Sequence, residues 1–138
     1  MVLLQISEPG ESPELSVTRS IAVGIDLGTT NSLIAQFDGE LVHVFEDDLG
    51  QPSLPSVVHY GAESTQVGDA AMALANEQPE NTIASAKRML GRAREEVVDD
   101  PYASLTTDGA LAFATDQGKK TPVEVSAAIL DALKIRAE

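Results

Sequence analysis

The chain has 138 residues, 22 Asp and Glu against 9 Lys and Arg, a formal net charge of −13 and 43% hydrophobic residues. That length suits one domain with a core, and the absence of cysteine excludes disulfide staples, thiolate metal sites and a cysteine nucleophile. So acidic a chain lacks the cationic surface that nonspecific nucleic-acid binding needs, and no apolar run reaches the ~20 residues that span a bilayer. Met1-Val2-Leu3-Leu4 lacks the basic flank and the length of a secretory signal, so a soluble cytoplasmic chain is expected, with no nucleic-acid or membrane partner. With three Phe, two Tyr and no Trp, the core is expected to rest on Ala, Val, Leu and Ile.

Residues 1–20 read as a disordered tail: Pro9-Gly10 and Pro13 break regular structure, and Glu and Ser solvate the rest. From residue 21, Ile21, Val23 and Ile25 alternate at the period of a strand that ends at Asp26. Leu27-Gly28-Thr29-Thr30 is a turn, and residues 31–37 form a second strand. Asp38-Gly39 is a two-residue hairpin signal, because both residues tolerate the positive φ of a type I′ turn. Residues 41–45 then make a third strand, with Leu41, His43 and Phe45 on one side. The first expected unit is a three-stranded antiparallel meander.

Residues 47–52 form a loop, and residues 56–60 a short strand after Pro55. Asp69 is expected to N-cap a helix through Asn76, which Pro79 ends. Asn81 or Thr82 starts a second predicted helix, stopped by Gly91, with Ile83, Ala86 and Leu90 on one face and Lys87 beside them. Residues 97–120 are turn-rich, with one expected strand over 110–114. Thr121-Pro122-Val123-Glu124 is a capping box with proline at the first helical position. Val125, Ala128, Ile129, Ala132 and Leu133 follow as an apolar stripe at helical spacing. No internal repeat is present. A meander with an open edge, and a last helix just complete at Glu138, read as the front piece of a larger protein.

The basic residues are unevenly placed. Between Arg19 and Lys87 there is no Lys or Arg, and then Lys87, Arg88, Arg92 and Arg94 fall within eight positions. One account is a solvated face offset by Glu95, Glu96, Asp99 and Asp100. The other is an anion site, because the field of an acidic protein repels phosphate unless local cations counteract it.

The strand–turn–strand through Asp26-Leu27-Gly28-Thr29-Thr30-Asn31 carries the most chemistry. A tight turn between strands can point successive backbone N–H groups into one concavity, an anion nest. Gly28 removes the Cβ that would obstruct a phosphate, Thr29 and Thr30 add two hydroxyl donors, and Asp26 supplies a hard oxygen suited to Mg²⁺ or its waters. No lysine follows the glycine and no helix starts there, so this is not a Walker A loop, nor is it a GxGxxG turn. An ordinary hairpin whose threonines reflect β-propensity has the same composition.

Ile25-Asp26-Leu27-Gly28-Thr29-Thr30-Asn31-Ser32 resembles the first phosphate motif of the seventy-kilodalton heat-shock chaperones, members of the actin and sugar-kinase ATPase superfamily. The resemblance continues through Pro55-Ser56-Val57-Val58, Val67-Gly68-Asp69-Ala70-Ala71, Asn81-Thr82-Ile83, Lys87-Arg88-Met89-Leu90-Gly91-Arg92 and Thr121-Pro122-Val123-Glu124-Val125-Ser126-Ala127. It covers residues 21–138. Leu3-Leu4-Gln5-Ile6-Ser7-Glu8-Pro9-Gly10 and Leu54-Pro55-Ser56-Val57-Val58-His59-Tyr60 resemble the HscA branch, the chaperones of bacterial iron–sulfur cluster assembly.

The resemblance implies an α/β fold of the actin-like, ribonuclease H-like ATPase type, of which only the N-terminal portion is present. That portion is an antiparallel meander, a smaller inserted α+β subdomain over roughly 55–115, and a packing helix. It implies ATP or ADP with Mg²⁺ as cofactors, Asp26 holding the metal through water, and Gly28, Thr29, Thr30 and Asn31 around the phosphates. Asn31 stands where relatives carry either Asn or an aromatic residue. Lys87 matches the lysine that reaches the γ-phosphate and positions the attacking water, while Arg88 and Arg92 match basic positions of structural weight. His43 and His59 are expected to be strand residues rather than metal ligands. The implied partners are a J-domain co-chaperone and the iron–sulfur scaffold protein as client, both for the longer protein. The fragment alone is expected to hydrolyse no ATP at a useful rate. A sugar kinase of the same superfamily shares the turn but not the Lys87 block, and a non-catalytic interaction module has no need of Asp26, Thr29, Thr30 and Lys87 together.

Overall fold

A computed structural model describes residues 22–93, 96, 103–105 and 108–138, so the expected tail lies outside the described residues. Strands β1 (Val23–Asp26), β2 (Asn31–Phe37) and β3 (Val42–Val44) form the antiparallel meander. Ile25 lies opposite Ile34, and Asp26 opposite Leu33, so the register carries Asp26 to the mouth of the first turn. A two-residue strand, β4 (Leu54–Pro55), joins the start of β2 through Asn31↔Pro55 and Ser32↔Leu54.

The second hairpin differs from the expected two-residue turn. Phe37 pairs with Val42, leaving a four-residue loop, residues 38–41. The Asp38 carboxylate accepts the Glu40 and Leu41 N–H groups, both at 2.9 Å, and Gly39 takes the positive φ of 107°. Leu41 N–H, Glu40 N–H and the His43 ring together hold the Asp38 carboxyl down at about 2. A side chain that mimics backbone lets the loop run two residues longer than a type I′ turn.

Beyond β4 lies a second antiparallel sheet of β5 (Val57–Tyr60), β6 (Thr65–Val67) and β7 (Thr82–Ala84), with β5 central. Helix α1 (Asp69–Leu74) is shorter than expected, and Asp69 is its first helical residue rather than its cap. Gly68 occupies the cap position at φ 76° with no side-chain hydrogen bond. Asp69 then acts on the helix through the dipole of its first turn.

The helix expected from residue 81 or 82 to Leu90 is not there. Pro79–Asn81 is a single 3₁₀ turn, Thr82–Ala84 is β7, and a second 3₁₀ turn spans Ala86–Met89. Ile83 pairs with Val58 and Thr82 with His59, so the β-branched residues join the sheet instead of a helix. Ser85 follows in the left-handed conformation at φ 56°, which breaks the strand and starts the Lys87 turn.

A third antiparallel sheet consists of β8 (Ala103–Leu105), β9 (Leu111–Thr115) and β10 (Gly118–Lys120). The expected strand over 110–114 is β9, one position later; Gly118-Lys119-Lys120 carries no apolar alternation to announce β10. Among the described residues every strand pairing is antiparallel, so the fold is mixed α and β without a parallel pair there. Helix α2 (Pro122–Ala137) begins with the expected capping box. The Glu124 N–H donates to Thr121 Oγ1 at 3.3 Å, and the Thr121 N–H donates to Glu124 Oε2 at 2.7 Å.

The stripe of α2 buries Val125, Ile129 and Leu133 against Ile34 of β2, Val58 of β5, and Ile83 and Ala86 beyond. Phe113 of β9 and Tyr60 of β5 are buried in the same cluster, so the scarce aromatics contribute to the core after all. Desolvation is the main cause that pushes the Tyr60 phenol up to about 12. The opposite side stays open: Val23 and Ile25 of β1, with Ala127 and Leu130 of α2, line a groove of about 640 Å³.

Candidate functional site

The site residues divide between the β1–β2 turn and the second 3₁₀ turn. Asp26 closes β1 and is exposed; Gly28 and Thr29 are half-buried; Thr30 and Asn31 are exposed. A Cβ on Gly28 would sit on the carbonyl oxygen of Asn31, so the turn requires glycine to close upon itself. That is an internal reason, and it stands beside the expected one of making room for phosphate. The Gly28 N–H is not part of a nest, because it donates to Ser32 Oγ at 3.2 Å.

Two buried serines tie this turn down. Ser32 and Ser56 are each 2% exposed, with their hydroxyls 2.9 Å apart. The Ser56 hydroxyl donates to the Gly28 carbonyl at 2.9 Å, and the Ser56 N–H donates to the Thr30 carbonyl at 2.8 Å. Both fall within the motifs of the family resemblance, and neither announces this role by residue type. One signal was available: Ser32 shares the inward face of β2 with Ile34, where alternation calls for an apolar side chain.

The same serine relates the turn to Lys87. Ser56 immediately precedes β5, whose first residue, Val57, pairs with Ala84 at the end of β7. Lys87 follows three residues later, exposed on the 3₁₀ turn. Turn and lysine are therefore brought to one end of β5. Neither Thr29 nor Thr30 uses its hydroxyl on another described residue, and neither Asp26 nor Lys87 enters an ion pair among the described residues. The donor set left available is two neutral hydroxyls, one carboxylate and one ammonium, which fits a phosphate chain carrying a hard cation.

Arg88 and Arg92 are exposed and also unpaired among the described residues; Arg94 lies outside them. Of the acids expected to offset this cluster, only Glu96 is described, and it pairs with none of them. His43 of β3 contacts Asp38 at 2.6 Å, and His59 of β5 is buried with Nδ1 2.9 Å from Thr82 Oγ1. Both are strand residues, and no group of three or more His, Cys, Asp or Glu side chains converges among the described residues.

Residues 22–138 match the family model described as Hsp70 protein. The whole chain is 47% identical to the chaperone protein HscA homolog of Acinetobacter baylyi over 140 residues, 22% of that protein's length. It is 50% identical to the HscA homolog of Methylobacillus flagellatus and 49% identical to that of Ralstonia nicotianae, covering 23% of each. The chain thus spans less than a quarter of the length of these relatives.

Proposed function

Since the chain belongs to the Hsp70 protein family and resembles its HscA branch, we propose that it builds one wall of the nucleotide cleft of an ATP-hydrolysing chaperone. Residues 21–138 form the start of an actin-like nucleotide domain, with 55–115 as an inserted subdomain. In the complete protein, nucleotide state controls the grip on a peptide client. For an HscA-like member that client is the iron–sulfur scaffold protein, a J-domain co-chaperone stimulates hydrolysis, and both act in the cytoplasm.

Gly28 shapes the turn, and Thr29, Thr30 and Asn31 present donors to the β- and γ-phosphates. Asp26 would hold Mg²⁺ through water, and the ion would neutralise charge on the phosphate oxygens. Lys87 faces the γ-phosphate and stabilises the charge its oxygens carry as water attacks, a task for a compact ammonium rather than for covalent chemistry. The observation that supports this reading is the link through Ser56, which carries the turn and the Lys87 segment to one end of β5. This stretch by itself lacks the facing wall, and a half-built site cannot preorganise the charge it must stabilise.

Lys87→Ala in the full-length protein tests the assignment. Turnover measured by phosphate release should fall about 10²–10³-fold, the loss typical of one preorganised electrostatic contact, while Mg-ATP binding by calorimetry persists. Lost binding with turnover per bound ATP intact would refute the role of Lys87. No heat of Mg-ATP binding to the unaltered protein would refute the nucleotide reading itself.

A further inference from the structure

Counting protons fixes the direction of the serine network. Ser56 has one hydroxyl proton, and the Gly28 carbonyl receives it at 2.9 Å. At the 2.9 Å contact between the hydroxyls, Ser32 is therefore the donor. Ser32 Oγ in turn accepts the Gly28 N–H at 3.2 Å. The bonds form a closed circuit running from the Gly28 N–H through Ser32 and Ser56 to the Gly28 carbonyl, with every proton used once.

The circuit has a consequence for the neighbouring amides. The carbonyls of Gly28 and Thr30 both point at Ser56, one to its hydroxyl and one to its N–H. Every peptide bond described is trans, so the N–H across each of those peptides points the opposite way. Those are the N–H groups of Thr29 and Asn31. We infer that Ser56 is the positioning residue of the turn: by holding two carbonyls inward, it aims the Thr29 and Asn31 amides outward as a pair of anion donors. Ser32 is its accessory, since it orients the Ser56 hydroxyl. An aliphatic side chain at 56 would leave the half-buried Gly28 carbonyl without its partner and the plane of the Gly28–Thr29 peptide free to turn.

The inference rests on the phosphate-binding reading proposed above, and the test separates the two. In the full-length protein, Mg-ATP and adenosine are titrated by calorimetry into the unaltered chain, Ser56→Ala and Ser32→Ala. Ser56→Ala should weaken Mg-ATP about tenfold, the size of one impaired charge-assisted hydrogen bond, with adenosine affinity unchanged. Ser32→Ala, which keeps the Ser56 hydroxyl, should lose less but in the same selective manner. Should Ser56→Ala fold poorly, the Ser32→Ala comparison carries the test. Equal losses for both ligands, or no loss for either, overturn the positioning role. An unaltered protein that binds adenosine and Mg-ATP alike overturns the phosphate reading, and that result is visible before any variant is made.

Discussion

Asn81 offers the sharpest test of the packing that holds the β9–β10 turn against the second sheet. Its side chain is 2% exposed and bridges to the β9–β10 turn in both directions. Asn81 Nδ2 donates to Asp116 Oδ2 at 2.9 Å, and the Asp116 N–H donates to Asn81 Oδ1 at 2.8 Å. Asn81→Ala removes both bonds. The bond to a carboxylate is worth about 1.5–3 kcal/mol and the neutral one about 1 kcal/mol. Asp116 itself is exposed, so water recovers part of this, and a net loss of about 2–3 kcal/mol is expected. The turn remains attached by Gln117, whose Nε2 donates to the Gly61 carbonyl at 2.7 Å, so the effect stays below wholesale detachment.

Asn81→Asp should be worse than Asn81→Ala at neutral pH, because it replaces the donor with a second carboxylate facing the first. Repulsion raises the folded-state pKa of the introduced carboxyl above its unfolded value. The destabilisation is then complete above the folded pKa and fades as pH falls toward the ordinary carboxyl range, about 4. Urea denaturation followed by far-UV circular dichroism at neutral and acid pH measures both effects. A loss under about 0.5 kcal/mol for Asn81→Ala, typical of an uninvolved surface site, would refute the bridge. So would an Asn81→Asp variant whose deficit relative to Asn81→Ala does not shrink in acid.

Gly28→Ala should abolish Mg-ATP binding by the full-length protein while leaving its circular dichroism unchanged, since the Cβ collides only with the turn's own backbone; retained affinity would show that the turn does not receive the phosphates. Thr121→Ala should destabilise the chain by about 1 kcal/mol through loss of the α2 cap, measured by the same denaturation. The Glu124 carboxyl is held below its usual range, first by the Thr121 N–H, so its contribution is complete above the ordinary glutamate value and lost on acidification. The destabilisation caused by Glu124→Ala should accordingly shrink between about pH 5 and about pH 3, and a constant deficit would argue against the box.

The parts of the fold legible in the sequence are those whose local pattern agrees with their tertiary role. The alternation of Val23 and Ile25 marks β1, the apolar run over 31–37 is β2, its antiparallel partner, and the Thr121–Glu124 box marks the start of α2 because both its bonds are local. The three-and-four spacing of Ile83, Ala86 and Leu90 misled, since it satisfies a helix as well as a strand followed by a tight turn. What decides is not local: β5 offers an unpaired edge to Thr82–Ala84, and pairing with it outweighs a short helix. The anchoring role of Ser32 and Ser56 is hidden in the sequence for a related reason. A buried hydroxyl looks like a gap in the apolar pattern, and only the fold reveals that the gap in β2 faces the one between β4 and β5.

The misread segment is also the one that places the candidate catalytic lysine. In a helix running from Asn81, Lys87 would lie almost two turns along, about 9 Å of rise from its start, with its direction set by α-helical phase. As a strand, β7 is instead fixed in register by Val57↔Ala84, and left-handed Ser85 turns the chain immediately afterwards. Lys87 thus inherits its position from the same residue pair that follows Ser56, the anchor of the threonine turn. Anything that shifts the β5–β7 register by one residue would move Ile83 off the core face and displace Lys87 together with it. Core packing and the separation between ammonium and turn are on this argument a single structural variable, so Val58 and Ile83, which touch no ligand, belong to the determinants of the site.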